Sequence, residues 1–367
     1  MDKFISYSLE HREAIDRFNE RMIGVEGVLN FPSGEAPFRE PFHLAGLAVD
    51  RLVAIDRDGT MRAGYLLKRQ SFRIGEEILE IGNIQAPISE GMREKAYVPY
   101  GSMIVMDALK RKNLAYSLGM GGMSYAYPRL LAALRWKLVP VPFFFKIINP
   151  FRFTRRIAFL RNHLIGRLLM DALAFTGFAS LGVHMANLRS RLSHLGPEDR
   201  TERVVCFEPW AEELWAATSG ATPFAAVRDS KTLNGLYGED RFLRFLVRRS
   251  GQPLGWVVCL ASSFRNHPQF GTLVVGTIVD CLGLPGAEEI LLRAVETELR
   301  EVGVDLIVSN QMHRNWQAAF RKGAFMEGPS NFIFAASPAL DAHLEKVAIS
   351  FSDMHINRGD GDGPIHL

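Results

Sequence analysis

Cysteine is scarce in this chain, with three in 367 residues. Cys206, Cys259 and Cys281 are far apart and form no C-x-x-C pair, so neither a disulfide framework nor a zinc site is expected. Each lies in an apolar stretch and reads as an inert core residue. Long apolar runs are also lacking. The most apolar uncharged run, residues 172–183, is shorter than the roughly 18 residues that a spanning helix needs, so no transmembrane segment is expected. The opening residues do not run from basic to apolar as a secretory leader does. These absences predict a cytoplasmic protein, with attachment to the inner membrane face as the one membrane relation left open. G-x-S-x-G, H-E-x-x-H and Walker-type loops are missing as well, which removes the common hydrolase, zinc-protease and P-loop chemistries. No metal cofactor is predicted.

What the chain does contain is a repeat. Residues 51–56 and 63–67 read as two strands joined by a turn at Asp58-Gly59; residues 242–247 and 254–258 do the same across Ser250-Gly251. A further strand follows in each half, at 78–84 and 273–279, and ends in a Gly- or Pro-rich loop. Each loop opens a helix, at 103–110 and 288–300. The second is amphipathic, with Leu291, Val295, Leu299 and Val302 on one stripe. Another strand (114–118, 305–309) and helix (127–136, 315–322) come next, and a last strand (142–148, 332–336) is expected to close each half. Gly64 and Gly255, Leu114 and Leu306, and Trp136 and Phe325 are each separated by about 190 residues, as a duplicated unit requires. Strands alternating with helices after an opening hairpin predict an α/β unit with a mixed sheet covered on both faces.

The Gly-Tyr and Gly-Trp of the hairpins (Gly64-Tyr65, Gly255-Trp256), the order strand–Gly loop–helix–strand–helix, and the closing Phe320-Arg-Lys-Gly-Ala-Phe325 together resemble the GNAT superfamily of acyl-CoA N-acyltransferases. The resemblance implies two tandem GNAT-like modules, each a mixed, mostly antiparallel sheet with helices on both faces. Module boundaries are expected at 1–150 and 201–345, around a basic, apolar helical linker (151–200) and before a tail (346–367).

The resemblance also implies where chemistry sits. The family grips the pyrophosphate of coenzyme A with backbone N–H groups at a helix N-terminus, a natural anion site. The matching stretches are Leu282-Gly283-Leu284-Pro285-Gly286-Ala287 and Ala96-Tyr97-Val98-Pro99-Tyr100-Gly101. Both depart from the family's Gln/Arg-x-x-Gly-x-Gly/Ala and match it only at the last position. The cofactor contacts implied are Gly283, Gly286 and Ala287 in one half, and Gly101 and Ser102 in the other. An amine must lose its proton before it attacks a thioester, so a base is required. Asp280, at the end of its strand, is the carboxylate best placed for that. Phe320 stands where the family carries an acidic Tyr; His313 and Asn310 are the substitutes in that half, and Tyr125, with its neighbour Tyr127, in the other.

Between residues 108 and 197 stand fourteen Lys or Arg and a single acid, Asp171, although the whole chain is only +3. In residues 146–167, Lys146, Arg152, Arg155, Arg156 and Arg161 interleave with Phe151, Phe153 and Phe159, a pattern suited to a membrane surface, a glycan or a tRNA. The tail Arg358-Gly-Asp-Gly-Asp-Gly363 reads as flexible and is too short for an EF-hand loop. The expected function is transfer of an acyl group from an acyl-CoA or acetyl-CoA co-substrate to an amine acceptor, an amino sugar or glycan precursor. Two rivals stand beside it: a FemAB-like transferase that takes its acyl group from aminoacyl-tRNA, and a non-catalytic double-GNAT scaffold.

Overall fold

The computed structural model describes residues 3–25, 30–32, 46–157, 190, 194–218, 220–267 and 270–361. Its strands are β1 (Phe4–Ser6), β2 (Leu47–Ile55), β3 (Met61–Ile74), β4 (Glu77–Ser89), β5 (Ala115–Gly119), β6 (Lys137–Pro140), β7 (Phe143–Ile147) and β8 (Asp199–Arg203). They continue as β9 (Phe224–Ala226), β10 (Phe242–Arg249), β11 (Gln252–Ser263), β12 (Val274–Gly283), β13 (Leu306–Asn310), β14 (Met326–Gly328) and β15 (Ile333–Ala336). The helices are α1 (Arg12–Met22), α2 (Pro99–Arg111), α3 (Ala126–Ala133), α4 (Pro150–Arg156), α5 (Trp210–Ala217), α6 (Ser230–Tyr237), α7 (Glu288–Val302), α8 (Arg314–Lys322) and α9 (Pro338–Lys346).

The chain forms two compact units, neither of them contiguous. Unit 1 is Met1–Pro140, Pro223–Val227 and Ser330–Phe351; unit 2 is Val141–Thr222, Arg228–Pro329 and Ser352–Leu367. These differ from the boundaries at 150, 200 and 345 expected from sequence, and the reason is the last strand of each half. β15 lies in the sheet of unit 1, between β5 and β6, and β7 lies in the sheet of unit 2, between β13 and β14. Each half was expected to keep its own closing strand, and each receives the other's.

The duplication extends to the order of seven strands in each sheet, to which unit 1 adds β9 beside β3. The sheet of unit 1 runs β1-β2-β3-β4-β5-β15-β6, and that of unit 2 runs β8-β10-β11-β12-β13-β7-β14. In both, all neighbours are antiparallel except one parallel pair, β4 with β5 and β12 with β13.

Strand alternation gives every sheet two apolar faces. In unit 1, Leu52, Ala54, Tyr65 and Leu67 face Ile104 and Val105 of α2, while Val53 and Leu66 face Ile15 and Phe18 of α1. In unit 2, Phe245, Val257 and Cys259 meet α7 and α8, while Leu246, Trp256 and Val258 meet α5 and α6. Leu291, Val295 and Leu299 of α7 are buried as their spacing predicts, but Val302, at the helix end, is exposed. There the chain turns at Gly303, whose φ of +85° suits a residue without a Cβ. Cys259 and Cys281 are buried, with their thiols pushed up by burial. Cys206, expected in the core, is exposed because it falls in the loop between β8 and α5. Among the described residues no helix is long and apolar enough to cross a membrane.

Candidate active site

The parallel pair in each unit parts partway along. In unit 1, β4 and β5 pair at Gly82↔Ala115 and Asn83↔Tyr116. At the next step the Ser117 hydroxyl donates to the carbonyl of Ile84 at 2.6 Å. In unit 2 the pairing runs from Val275↔Leu306 to Ile278↔Ser309, and the Ser309 hydroxyl donates to the carbonyl of Ile278 at 3.1 Å. Each serine satisfies a buried carbonyl near the point where the ladder ends. Just beyond, both strands bulge. Register shifts where β4 meets β3, at Ala86 with its φ of +44°, and where β12 meets β11 between Val258 and Cys259. Bulges of this kind end pairing and re-aim the chain, and they are frequent beside active sites.

Past the gap, the two units differ in charge. In unit 1, β4 runs through short turns at Glu90–Met92 and Lys95–Tyr97 into α2. That helix begins at Pro99, whose missing N–H costs nothing at the first position, and has no acid in its first turn. The approach carries Arg93 and Lys95 against Glu94, while the buried Glu90 is held by Arg21 and Arg62 at 2.7 and 2.6 Å. Burial alone would raise the Glu90 carboxyl; the bonds from Arg62 and Arg21 hold it below its usual value. In unit 2, α7 opens with Glu288 and Glu289. Two carboxylates there offset the helix's positive end and oppose an anion.

The expected cofactor residues divide accordingly. Gly283 is packed against Leu291, whose Cδ1 would lie 2.3 Å from an added Cβ, so it serves helix packing. Gly286, at φ +86°, has open space around it. The Ala287 N–H is already committed to the Leu284 carbonyl at 2.9 Å, and the Leu284 N–H to Leu254 at 2.9 Å. Gly101 and Ser102 lie in the first turn of α2; the Gly101 N–H reaches Val98 at 3.2 Å, and the exposed Ser102 hydroxyl bonds the Pro99 carbonyl at 2.8 Å.

The expected catalytic residues divide too. Asp280 is 1% exposed and fully engaged: it accepts from Arg228 Nε at 3.0 Å, Tyr237 at 2.8 Å, Asn357 at 2.7 Å and the Cys281 N–H at 2.8 Å. A carboxylate with its lone pairs so occupied is a structural anion rather than a base. Asn310 is buried, donating to the Val141 carbonyl at 3.2 Å and accepting from Arg358 Nε at 3.0 Å. His313, the N-cap of α8, keeps a buried Nδ1 without a hydrogen-bond partner while Nε2 meets the Ala221 carbonyl at 3.2 Å. That contact requires a proton on Nε2, and burial lowers the ring's pKa, which favours the neutral form. Tyr125 is exposed at the N-cap of α3. Two residues on, Tyr127 points to the gap instead, its hydroxyl 3.5 Å from that of Ser117. Ser117 and Ser309 were not singled out from sequence, because a serine within a strand carries no signal of its own there.

The basic segment is only partly described. Lys146 leaves it: its ammonium is buried, 2.8 Å from Glu296 and 2.8 Å from the Gly323 carbonyl. Burial lowers its pKa against the pull of Glu296. Arg152 lies 3.6 Å from Asp305, and the Arg155 guanidinium lies over the Phe151 ring. Phe159, Arg161 and the rest of 158–167 lie outside the described residues. The tail is not loose up to Gly361: Gly359 and Asp360 are buried in unit 2.

No family model matches the sequence, and no curated protein matches it. Solved structures do. A GCN5-related N-acetyltransferase from Anabaena variabilis aligns with a TM-score of 0.54 at 13% identity, covering 91% of this chain and 72% of that one. N-myristoyltransferase of Saccharomyces cerevisiae, with bound myristoyl-CoA, gives 0.51 at 9% identity over 91% and 82%. An Enterococcus faecalis protein described as a probable N-acyltransferase gives 0.53 at 11% identity over 94% and 75%. The matching strand orders of the two units, each with its parting parallel pair, and these three alignments give the chain the fold of the GNAT superfamily in two tandem modules.

Proposed function

We propose that the protein is an N-acyltransferase that takes an acyl group from a coenzyme A thioester bound by unit 1 and passes it to an amine. The observation that carries this reading is the charge contrast at the two helix starts: α2 has no acid in its first turn, whereas α7 opens with Glu288 and Glu289. A pyrophosphate seeks N–H groups and the positive end of a helix, and of these two corresponding helices α2 is the one whose first turn has no carboxylate. The solved N-acetyltransferase and the myristoyl-CoA complex of similar fold support the choice of donor.

In this reading the thioester lies in the gap between β4 and β5. A neutral amine attacks the carbonyl carbon, the carbon–sulfur bond breaks, the departing thiolate takes the phenolic proton of Tyr127, and the proton lost by the nitrogen returns to that phenolate. Tyr127, beside Ser117, is the donor assigned to that sulfur. Unit 2, with Asp280 committed to Arg228, supports the fold and the acceptor. The acceptor stays an amino sugar or glycan amine by proposal. The basic segment stays a proposed contact for an anionic partner.

Titration calorimetry with acetyl-CoA and with a long-chain acyl-CoA tests the assignment. Ser102→Glu puts a carboxylate at the start of α2 and should weaken binding about fivefold or more, while Pro285→Glu, in the loop before α7, should leave it unchanged. The reverse pattern would move the donor site to unit 2.

A further inference from the structure

In unit 2 the gap between the parting strands is not empty. The chain's own residues 355–360 run into it. His355 Nε2 meets the Cys281 carbonyl of β12 at 2.7 Å, and the Ile356 carbonyl accepts from the Met312 N–H, just past β13, at 3.0 Å. Asn357 bridges to Gln311 in antiparallel fashion and donates its amide to Asp280 at 2.7 Å. Arg358 Nε donates to Asn310 at 3.0 Å. One short segment thus bonds to both strand ends beyond the last parallel pair, Ile278↔Ser309.

The segment is held by fit and by charge. A Cβ at Gly359 would stand 2.1 Å from the Tyr237 hydroxyl and 3.1 Å from Asp280 Cβ, so only glycine passes there. Asp360, 2% exposed, closes on Arg228 through both oxygens at 2.9 and 3.0 Å, and Arg228 is itself clamped by Asp280. Asp360 enters beside a cation already present, Arg228, while Arg358 bonds the Asn310 amide oxygen.

We infer that residues 355–360 are a built-in occupant of the second gap, so that unit 2 takes no acyl-CoA and each chain binds one, in unit 1. The stoichiometry rests on the proposed function; the occupancy does not. The bound segment explains why Asp280 and Asn310 are spent on structure, and why the acidic start of α7 carries no penalty: no phosphate is called there.

Hydrogen–deuterium exchange on the full chain, with and without saturating acetyl-CoA, tests the occupancy. The peptide covering 354–361 should exchange as slowly as β12 and β13, and should stay slow when acetyl-CoA is added. Exchange as fast as a free peptide, or release on addition of acetyl-CoA, would overturn it. Gly359→Ala should speed exchange of that peptide at least tenfold while β4 and β5 keep their protection; an unchanged peptide would also overturn it. Native mass spectrometry then reads the stoichiometry. One acetyl-CoA per chain is expected, and two would overturn the single-site inference. None would overturn acyl-CoA use itself, leaving the exchange result to decide the occupancy on its own.

Discussion

Ser117 and Ser309 make the same bond in the two units. Each closes its hydroxyl on the carbonyl of an isoleucine, Ile84 or Ile278, on the neighbouring parallel strand. Both serines are buried, so the carbonyl has no water to turn to. Duplicated sheets therefore agree in the residue that caps the end of the ladder as well as in strand order.

Removing either hydroxyl should cost stability. Ser117→Ala and Ser309→Ala each strand one buried carbonyl, and each should lower the unfolding free energy by about 1–3 kcal/mol in urea titration. If Tyr127 is the proton donor, Tyr127→Phe should lower kcat by roughly a hundredfold with little change in that titration. Equal loss of stability and activity would reduce Tyr127 to a packing residue.

The Arg228 cluster should be far more sensitive than an exposed ion pair. Arg228→Met leaves Asp280 and Asp360 facing each other without their shared cation, and a loss of about 3–5 kcal/mol is expected. Adding Asp360→Asn should recover part of it, because the repulsion between the carboxylates goes. Chemical denaturation of the single and double variants measures both.

His313 predicts a pH dependence of defined sign. Burial lowers its folded pKa below the ordinary 6.5, so the unfolded chain binds this proton first. Stability should be flat above about pH 6.5, fall as pH drops below it, and level off once the folded ring protonates. Melting curves from pH 8 to 5 should show this slope, and His313→Gln should flatten it.

Arg155 and Arg156 end α4 with exposed side chains. If the basic segment meets an anionic partner, reversing both to Glu should weaken binding to vesicles rich in anionic lipid, or to tRNA, and wild-type binding should fall steeply with salt. The melting temperature should barely change. Binding equal to wild type on both probes would make these arginines ordinary solvated surface.

Much of the fold was legible in the order of elements. The strands and helices of both halves lie within a few residues of their expected positions, because hairpin turns at Gly59 and Gly251 and the 3.6-residue stripe of α7 are local signals. The partner of a closing strand is not local. Phe143–Ile147 and Ile333–Ala336 read as strands in either sheet, and nothing in such short, mostly apolar segments says which strands they join. Lys146 looked like one cation among many, yet strand alternation puts it on the buried face with Phe144. The Arg-Gly-Asp of the tail looked loose because its counter-charge, Arg228, is 132 positions away. At the proposed site, sequence singles out Tyr125, at the N-cap of α3, whereas the structure brings Tyr127, half a helical turn on, beside Ser117.

The exchange of β7 and β15 bears on how the protein is made. Unit 1 lacks an interior strand of its sheet until Ile333–Ala336 has left the ribosome, although β1–β5 are synthesised more than 200 residues earlier. Until then β5 and β6 present open edges to other chains, the condition under which nascent sheets pair wrongly. Contacts of such long range slow folding, so a truncated message ending before residue 333 should yield an aggregating product rather than a working half.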